Sequence, residues 1–194
     1  MAKDSSEGRI SSVEVRLHGR GGQGVVKAAE IIVRAAVTAG HFGISIPFFG
    51  FERQGAPVTA FVRISDRPIR PKTRVYEPDC LVVMHQSLLD MPETFKGLAP
   101  GAVVIVNASL DPERLGLPRG IGILGILDAS RIALETLGRD VPNTAMLGAF
   151  CAITGAVELD ALKKCVADVF GEGNALAVQR GYEGVHRLAL ETVE

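Results

Sequence analysis

Tryptophan is absent from this chain, tyrosine occurs twice and cysteine three times among 194 residues. The thiols Cys80, Cys151 and Cys165 form no C-x-x-C pair. A structural zinc or an iron–sulfur cluster needs about four ligands, mostly cysteine, at close spacing. The scattered histidines His18, His41, His85 and His186 do not repair that deficit, so the chain is expected to carry no metal of its own. An odd number of buried-looking thiols fits a reducing compartment. A charge excess is missing too: 21 Lys and Arg stand against 22 Asp and Glu, for a net charge of −1. No global positive field draws in a polyanion, so a nucleic-acid partner is not expected. The longest apolar run, Leu147 to Val157, contains Thr154 and two glycines. It falls short of the ~20 residues that span a bilayer, which excludes a membrane partner. Residues 1–12 are polar and lack the apolar core of a signal peptide, and the expected location is the cytoplasm.

What is present is the composition of a folded domain, 47% hydrophobic and 22% charged. Chain length over ~150 residues per domain argues for one domain, here residues 13–194 behind a flexible N-terminal arm at 1–12. The 22 glycines point to many tight turns.

Val13 to His18 alternates as a strand does, Gly19 to Gly24 is a glycine-rich turn, and Gln23 to Ala39 reads as a well-buried helix stopped by Gly40. Gly43 to Phe48 reads as a strand interrupted by Pro47, Phe49 to Pro57 as a loop, and Val58 to Ser65 as a strand. Further strands are expected at Cys80 to Met84, Ala102 to Val106 and Ile121 to Leu127, with a weak helix over Ser87 to Phe95. Ala102 to Val106 is continuously apolar, the type buried on both faces. Helices close the chain: Asp128 to Leu137 capped by Asp128, Asn143 to Ala156, and one with Leu159, Leu162, Val166, Val169 and Phe170 on a face. A last helix is expected from Asn174, its cap, to about Thr192. Alternation of strands and helices gives an α/β class, a three-layer α/β/α arrangement with a mixed, mostly parallel sheet and a helical C-terminal region.

The most informative stretch is Gly19-Arg20-Gly21-Gly22-Gln23-Gly24, between a predicted strand and a predicted helix. Glycines permit positive φ and close approach of a ligand to the backbone. The first N–H groups of the helix then favour an anion, most often a phosphate, and Arg20 adds a cation. The spacing matches a dinucleotide fingerprint, yet the acid expected ~20 residues on is missing from His41-Phe42-Gly43-Ile44-Ser45. Val25 and Val26 stand where a nucleotide-hydrolysing loop has Lys and Ser or Thr. A tight turn holding no ligand is the alternative that the loop alone leaves open.

A second constellation, Phe48 to Pro57, packs three phenylalanines, Glu52, Arg53, Gln54 and two glycines into ten residues. Exposed rings beside fixed charges suit an interface or a ligand mouth. The phenylalanines read more simply as core. Glu52 and Arg53 need partners other than each other, because neighbours along a strand point to opposite faces. Asn143 reads as a helix cap after Pro142 and His85 as a strand-end polar residue. Thr144, Met146 and Cys151 read as core. No set of catalytic acids, bases or nucleophiles emerges, so no catalytic residue is assigned to this chain.

In this order, the motifs resemble those of the gamma subunit, or gamma domain, of the 2-oxoacid:ferredoxin oxidoreductases. The resemblance rests on Gly19 to Val26 (GRGGQGVV), Phe49 to Val58 (FGFERQGAPV), Phe61 to Asp66 (FVRISD) and Val141 to Ala149 (VPNTAMLGA). Asn174, Ala177, Gly181 and Tyr182 extend it, so that it covers about residues 13–185. It implies a subunit of an enzyme that converts a 2-oxoacid and coenzyme A into acyl-CoA and carbon dioxide, passing electrons to ferredoxin or a related acceptor. Thiamine diphosphate and iron–sulfur clusters would sit on partner subunits: thiamine-binding alpha and beta chains and a ferredoxin-like chain. By the same resemblance Arg20, Gly21, Gly22, Gln23 and Gly24 would hold coenzyme A. Phe49, Glu52, Arg53, Gln54 and Asn143 would lie at an interface or active-site rim. Phe51 and Gln54 depart from pyruvate-type members, which often have Pro and a second Arg there. An added ring and one charge fewer suggest a bulkier acid such as phenylglyoxylate. The alternative is a free-standing Rossmann-like nucleotide- or flavin-binding protein, and a purely structural spacer is a third reading.

Overall fold

The computed structural model describes residues 12–48, 55–70, 72–109 and 111–190. Residues 1–11 of the expected arm, and Phe49 to Gln54, lie outside the described residues. Strand β1 (Ser12–Arg20) leads through the glycine turn to α1 (Val25–Thr38), β2 (Phe42–Phe48) and β3 (Pro57–Ser65). Then come β4 (Cys80–Val83), a 3-10 turn at Gln86–Leu88, α2 (Pro92–Phe95), β5 (Val103–Asn107) and a 3-10 turn at Pro112–Arg114. After β6 (Ile123–Leu127), four helices follow: α3 (Ala129–Leu137), α4 (Asn143–Thr154), α5 (Leu159–Phe170) and α6 (Glu172–Gly184). The last element is β7 (His186–Ala189).

The strands form one sheet in the order β2-β3-β1-β4-β5-β6-β7. Strands β1, β4, β5 and β6 pair in parallel, whereas β3 is antiparallel to both neighbours and β7 is antiparallel to β6. Five of seven strands therefore run one way, the mixed and mostly parallel sheet expected. The layers on its two faces are unequal. Val15, Leu17, Val62 and Ile64 share a core with α1 and α3–α6, while Leu81, Val83, Val104 and Val106 are covered by the α2 region and the two 3-10 turns.

Pro47 does not interrupt β2, because β2 is an edge strand whose one partner is β3; an edge tolerates a residue that cannot donate. The weak helix expected over Ser87 to Phe95 is divided in two, since Pro92 opens α2 and biases Met91 to its extended conformation.

The C-terminus departs further from expectation. The last helix ends at Gly184 and the chain returns as β7 beside β6. Asn174 lies inside α6 and caps nothing. It is buried, donates to the Phe170 carbonyl at 3.0 Å, and accepts from Thr144 Oγ1 at 3.4 Å. Asp128 does cap α3, accepting from the Arg131 N–H at 3.0 Å.

Helix α4 is apolar all round and buried from Asn143 to Cys151, as a helix sheathed on every side must be. It crosses α6 through glycines. A Cβ on Gly148 would stand 2.0 Å from the Val178 carbonyl oxygen, and one on Gly181 would stand 2.0 Å from that of Ala145.

Candidate functional site

Along β1, Val15 and Leu17 enter the helical core, so alternation sends Glu14, Arg16, His18 and Arg20 to the opposite face. From β1 the chain leaves over the helical face by α1; from β4 it leaves over the opposite face by the 3-10 turn and α2. The carboxyl ends of these adjacent strands thus diverge. Such a switch point opens a crevice in α/β sheets.

The glycine loop lines that crevice. The Gly21 N–H donates to the Ala56 carbonyl at 2.9 Å, and the Gln23 N–H to the Arg20 carbonyl at 3.0 Å. Gly22 has φ of +97°, and a Cβ there would meet nothing within 4 Å. Gly24, at φ +74°, occupies the cap position of α1. Helix α1 has neither a capping side chain nor an acid in its first turn. Its first internal bond is Ala28 N–H to Gly24 carbonyl, which leaves the N–H groups of Val25, Val26 and Lys27 without an acceptor among the described residues. These are the orphan donors that give a helix start its affinity for anions.

Gln23 has a different part. Its Oε1 accepts from the Arg20 N–H at 2.8 Å and its Nε2 donates to the Met84 carbonyl at 3.4 Å. Both ends of the amide are engaged in closing the loop against the end of β4. Arg20 points across the crevice: Nη1 donates to the Gly55 carbonyl at 2.9 Å, and Nε and Nη2 donate to Ser87 Oγ at 3.0 and 2.5 Å. Ser87 Oγ lies 2.8 Å from His85 Nδ1, which also accepts from the Ser87 N–H at 3.2 Å.

Asn143 is the first residue of α4, and the cap position belongs to Pro142. The side chain is buried, with Oδ1 accepting from the Thr144 N–H at 2.9 Å. Its Nδ2 lies 2.3 Å from where a Cβ on Gly24 would stand, and it has no acceptor among the described residues. The start of α4 therefore abuts the start of α1. Helix α4 likewise lacks a capping side chain and an acid in its first turn. Each helix start carries roughly half a positive charge, so their meeting favours an anion placed over both.

Arg20, Gly21, Gly22, Gln23, Gly24 and Asn143 are thus assembled in one place. Phe49, Glu52, Arg53 and Gln54 lie outside the described residues. Gly55 and Ala56, which follow them, are tied to Arg20 and Gly21, so the two motifs legible in the sequence meet. Phe48, which precedes them, lies under the Arg74 guanidinium, 3.7 Å from the ring centroid. Asn107, at the end of β5, belongs to neither motif. Its Nδ2 donates to the Met84 carbonyl and to Ser130 Oγ, each at 3.0 Å, while Oδ1 accepts from the N–H groups of Ala129 and Ser130. A polar residue ending an otherwise apolar strand was the available signal.

Buried polar groups lie beneath. Desolvation, aided by the Arg16 charge, lowers the His18 pKa to about 3, and Nε2 of its ring has no partner. Burial pushes the Cys151 thiol up to about 11, and Cys80 is raised still further. All three cysteines are buried and free, and no group of metal ligands occurs among the described residues. No helix of the described residues is long and apolar enough to cross a membrane.

Comparison with known proteins accords with this geometry. The family model for pyruvate ferredoxin/flavodoxin oxidoreductase matches residues 14–184. Pyruvate synthase subunit PorC of Methanothermobacter thermautotrophicus is 46% identical over 180 residues, covering 91% of this chain and 97% of that protein. The gamma subunit of the NADH-dependent phenylglyoxylate dehydrogenase of Aromatoleum evansii is 44% identical, over 89% of this chain and 93% of its own. The crystal structure of pyruvate oxidoreductase subunit PORC from Thermotoga maritima superposes with a TM-score of 0.82 at 37% identity, over 91% of this chain and 98% of that one. The motifs, the fold and these likenesses agree, and the chain belongs to the pyruvate ferredoxin/flavodoxin oxidoreductase family, among its gamma subunits.

Proposed function

We propose that this chain serves a coenzyme A-acylating 2-oxoacid oxidoreductase by holding the anionic part of coenzyme A, while partner subunits break and form the bonds. The observation that carries the reading is the contact of two uncapped helix starts at Gly24 and Asn143. Coenzyme A brings a pyrophosphate, which can accept from orphan N–H groups and lie over two adjoining positive helix ends. The open space over Gly22 admits it. This part is positional: it lowers the entropic barrier to thiol attack on an acyl group held elsewhere.

The overall reaction takes 2-oxoacid, coenzyme A and oxidised acceptor to acyl-CoA, carbon dioxide and reduced acceptor. Thiamine diphosphate, on alpha and beta partners, supplies the carbanion chemistry, and clusters on a ferredoxin-like partner carry the electrons. Three thiols dispersed singly in the core agree with that division of labour.

The test is the complex assembled with Gly22→Val. The Michaelis constant for coenzyme A is expected to rise at least ~10-fold, about 1.4 kcal/mol of lost binding. An unchanged constant would remove the cradle. Calorimetry of the chain with coenzyme A, NAD, FAD and ATP separates this reading from a free-standing nucleotide- or flavin-binding protein. For the acid, Phe51 and Gln54 favour an arylglyoxylate. A higher kcat/KM for pyruvate than for phenylglyoxylate in the complex would count against that choice.

A further inference from the structure

Beside the glycine loop, the turns that follow β4 and β5 form an open cavity of about 330 Å³ whose lining includes His85, Ser87, Leu89, Asp90, Arg114 and Leu115. Leu89 and Leu115 give it an apolar floor and are buried. Arg114 and Asp90 are exposed at its mouth and enter no ion pair among the described residues.

A hydrogen-bonded chain joins this cavity to the loop. Ser87 Oγ accepts twice from Arg20, so its hydroxyl hydrogen is free to donate to His85 Nδ1, 2.8 Å away. That nitrogen already accepts from the Ser87 N–H. A ring nitrogen that accepts from two donors carries no proton, so the neutral His85 ring carries its proton on Nε2. The sequence Arg20 to Ser87 to His85 is polarised in one direction, each donor strengthening the next. It ends on Nε2–H, which has no acceptor among the described residues.

We propose that this cavity is a subsite for a phosphorylated ribose, specifically the 3′-phosphate of coenzyme A. Arg114 and His85 Nε2–H donate to the phosphate, and Asp90 accepts from the neighbouring ribose hydroxyl. The inference rests on the reading of the glycine loop as the pyrophosphate cradle and deepens it. In coenzyme A the 3′-phosphate and the pyrophosphate hang on the same ribose. A subsite for one must therefore lie a single sugar away from the site of the other. The Arg20–Ser87 contact sets the loop and the cavity side by side in that way.

The test compares coenzyme A with 3′-dephospho-coenzyme A as substrates of the assembled complex. The unmodified complex is expected to show a Michaelis constant roughly 50-fold higher for the dephospho form, the combined size of two contacts to the phosphate, ~10-fold from Arg114 and ~5-fold from His85. Arg114→Gln should raise the constant for coenzyme A roughly 10-fold, leave that for the dephospho form unchanged, and so shrink the difference between the two substrates to the ~5-fold that His85 supplies. His85→Asn keeps an acceptor for the Ser87 N–H but removes the outward donor, and should raise the coenzyme A constant ~5-fold, in keeping with one hydrogen bond to a charged group. Equal constants for the two substrates in the unmodified complex would overturn the proposal. So would an Arg114→Gln effect that is the same on both. Gly22→Val distinguishes the two levels, since it should weaken both substrates alike. If it does so while Arg114→Gln and His85→Asn are silent, the subsite alone is lost. If it leaves both constants unchanged, the cradle falls with it.

Discussion

The side-chain nitrogen of Asn143 occupies the space into which a Cβ on Gly24 would project, 2.3 Å from that position. The two residues start α4 and α1, and each excludes a larger neighbour. Gly24→Ala would impose a left-handed backbone on a residue with a Cβ, at roughly 1–2 kcal/mol, and would drive that Cβ into Asn143. We expect a loss of about 3 kcal/mol in chemical denaturation, the range of overpacking combined with backbone strain. Asn143→Ala removes the obstacle, so the double variant should be at least about 1 kcal/mol more stable than the sum of the singles predicts. Additive losses would mean that the two side chains do not compete for one space.

Gln23 closes the loop rather than facing its opening. Gln23→Ala frees the Arg20 N–H and one bond to the Met84 carbonyl. Each such bond contributes about 0.5–1.5 kcal/mol, so the isolated chain should lose about 1–2 kcal/mol in urea. A residue that touched only ligand would leave the unliganded chain's midpoint unchanged.

His18 stays neutral when folded, with its pKa lowered to about 3 from an ordinary 6.5. Below pH 6.5 the unfolded chain takes up a proton that the folded chain refuses. The contribution is therefore fully present above pH 6.5 and is lost as the pH falls toward 3, by about 1.4 kcal/mol per pH unit. His18→Leu should flatten the decline between pH 6.5 and 4.5, measured as the difference in unfolding free energy between the two proteins. Parallel curves would show that the buried ring does not govern it.

The three buried thiols should be silent toward a thiol-specific dye in the native protein and should all react in denaturant. Cys151 donates to the Val157 carbonyl at 3.0 Å, and burial holds its pKa near 11. The thiolate that reacts is therefore scarce at neutral pH. Rapid labelling of one equivalent in native buffer would reveal an opening of β4, α4 or α5, whichever carries the thiol that reacts.

Much of this was legible in the sequence, for local reasons. The glycine loop, the buried helix behind it and the apolar strands each carry a pattern that short-range geometry obeys. Two failures have a common cause. Residues 186–189 continue a polar and apolar rhythm that suits a helix, and only the free edge of β6 makes them a strand. Asn143 and Asn174 look like caps, yet both lie within the first turn of their helices, buried against other elements. The convergence of α1 with α4 was hidden in the same way. Residues 24 and 143 are far apart in the chain, and no spacing rule links them.

The crossing of α4 and α6 carries this dependence further. A Cβ on Gly181 would strike the carbonyl of Ala145 in the first turn of α4, two residues beyond Asn143. With main chain seated on main chain, the two helices act as one spar, and α6 is its buttress. The floor beneath the loop near residue 24 is thus levelled by a residue more than 150 positions downstream, and that floor is not true until residue 181 is in place.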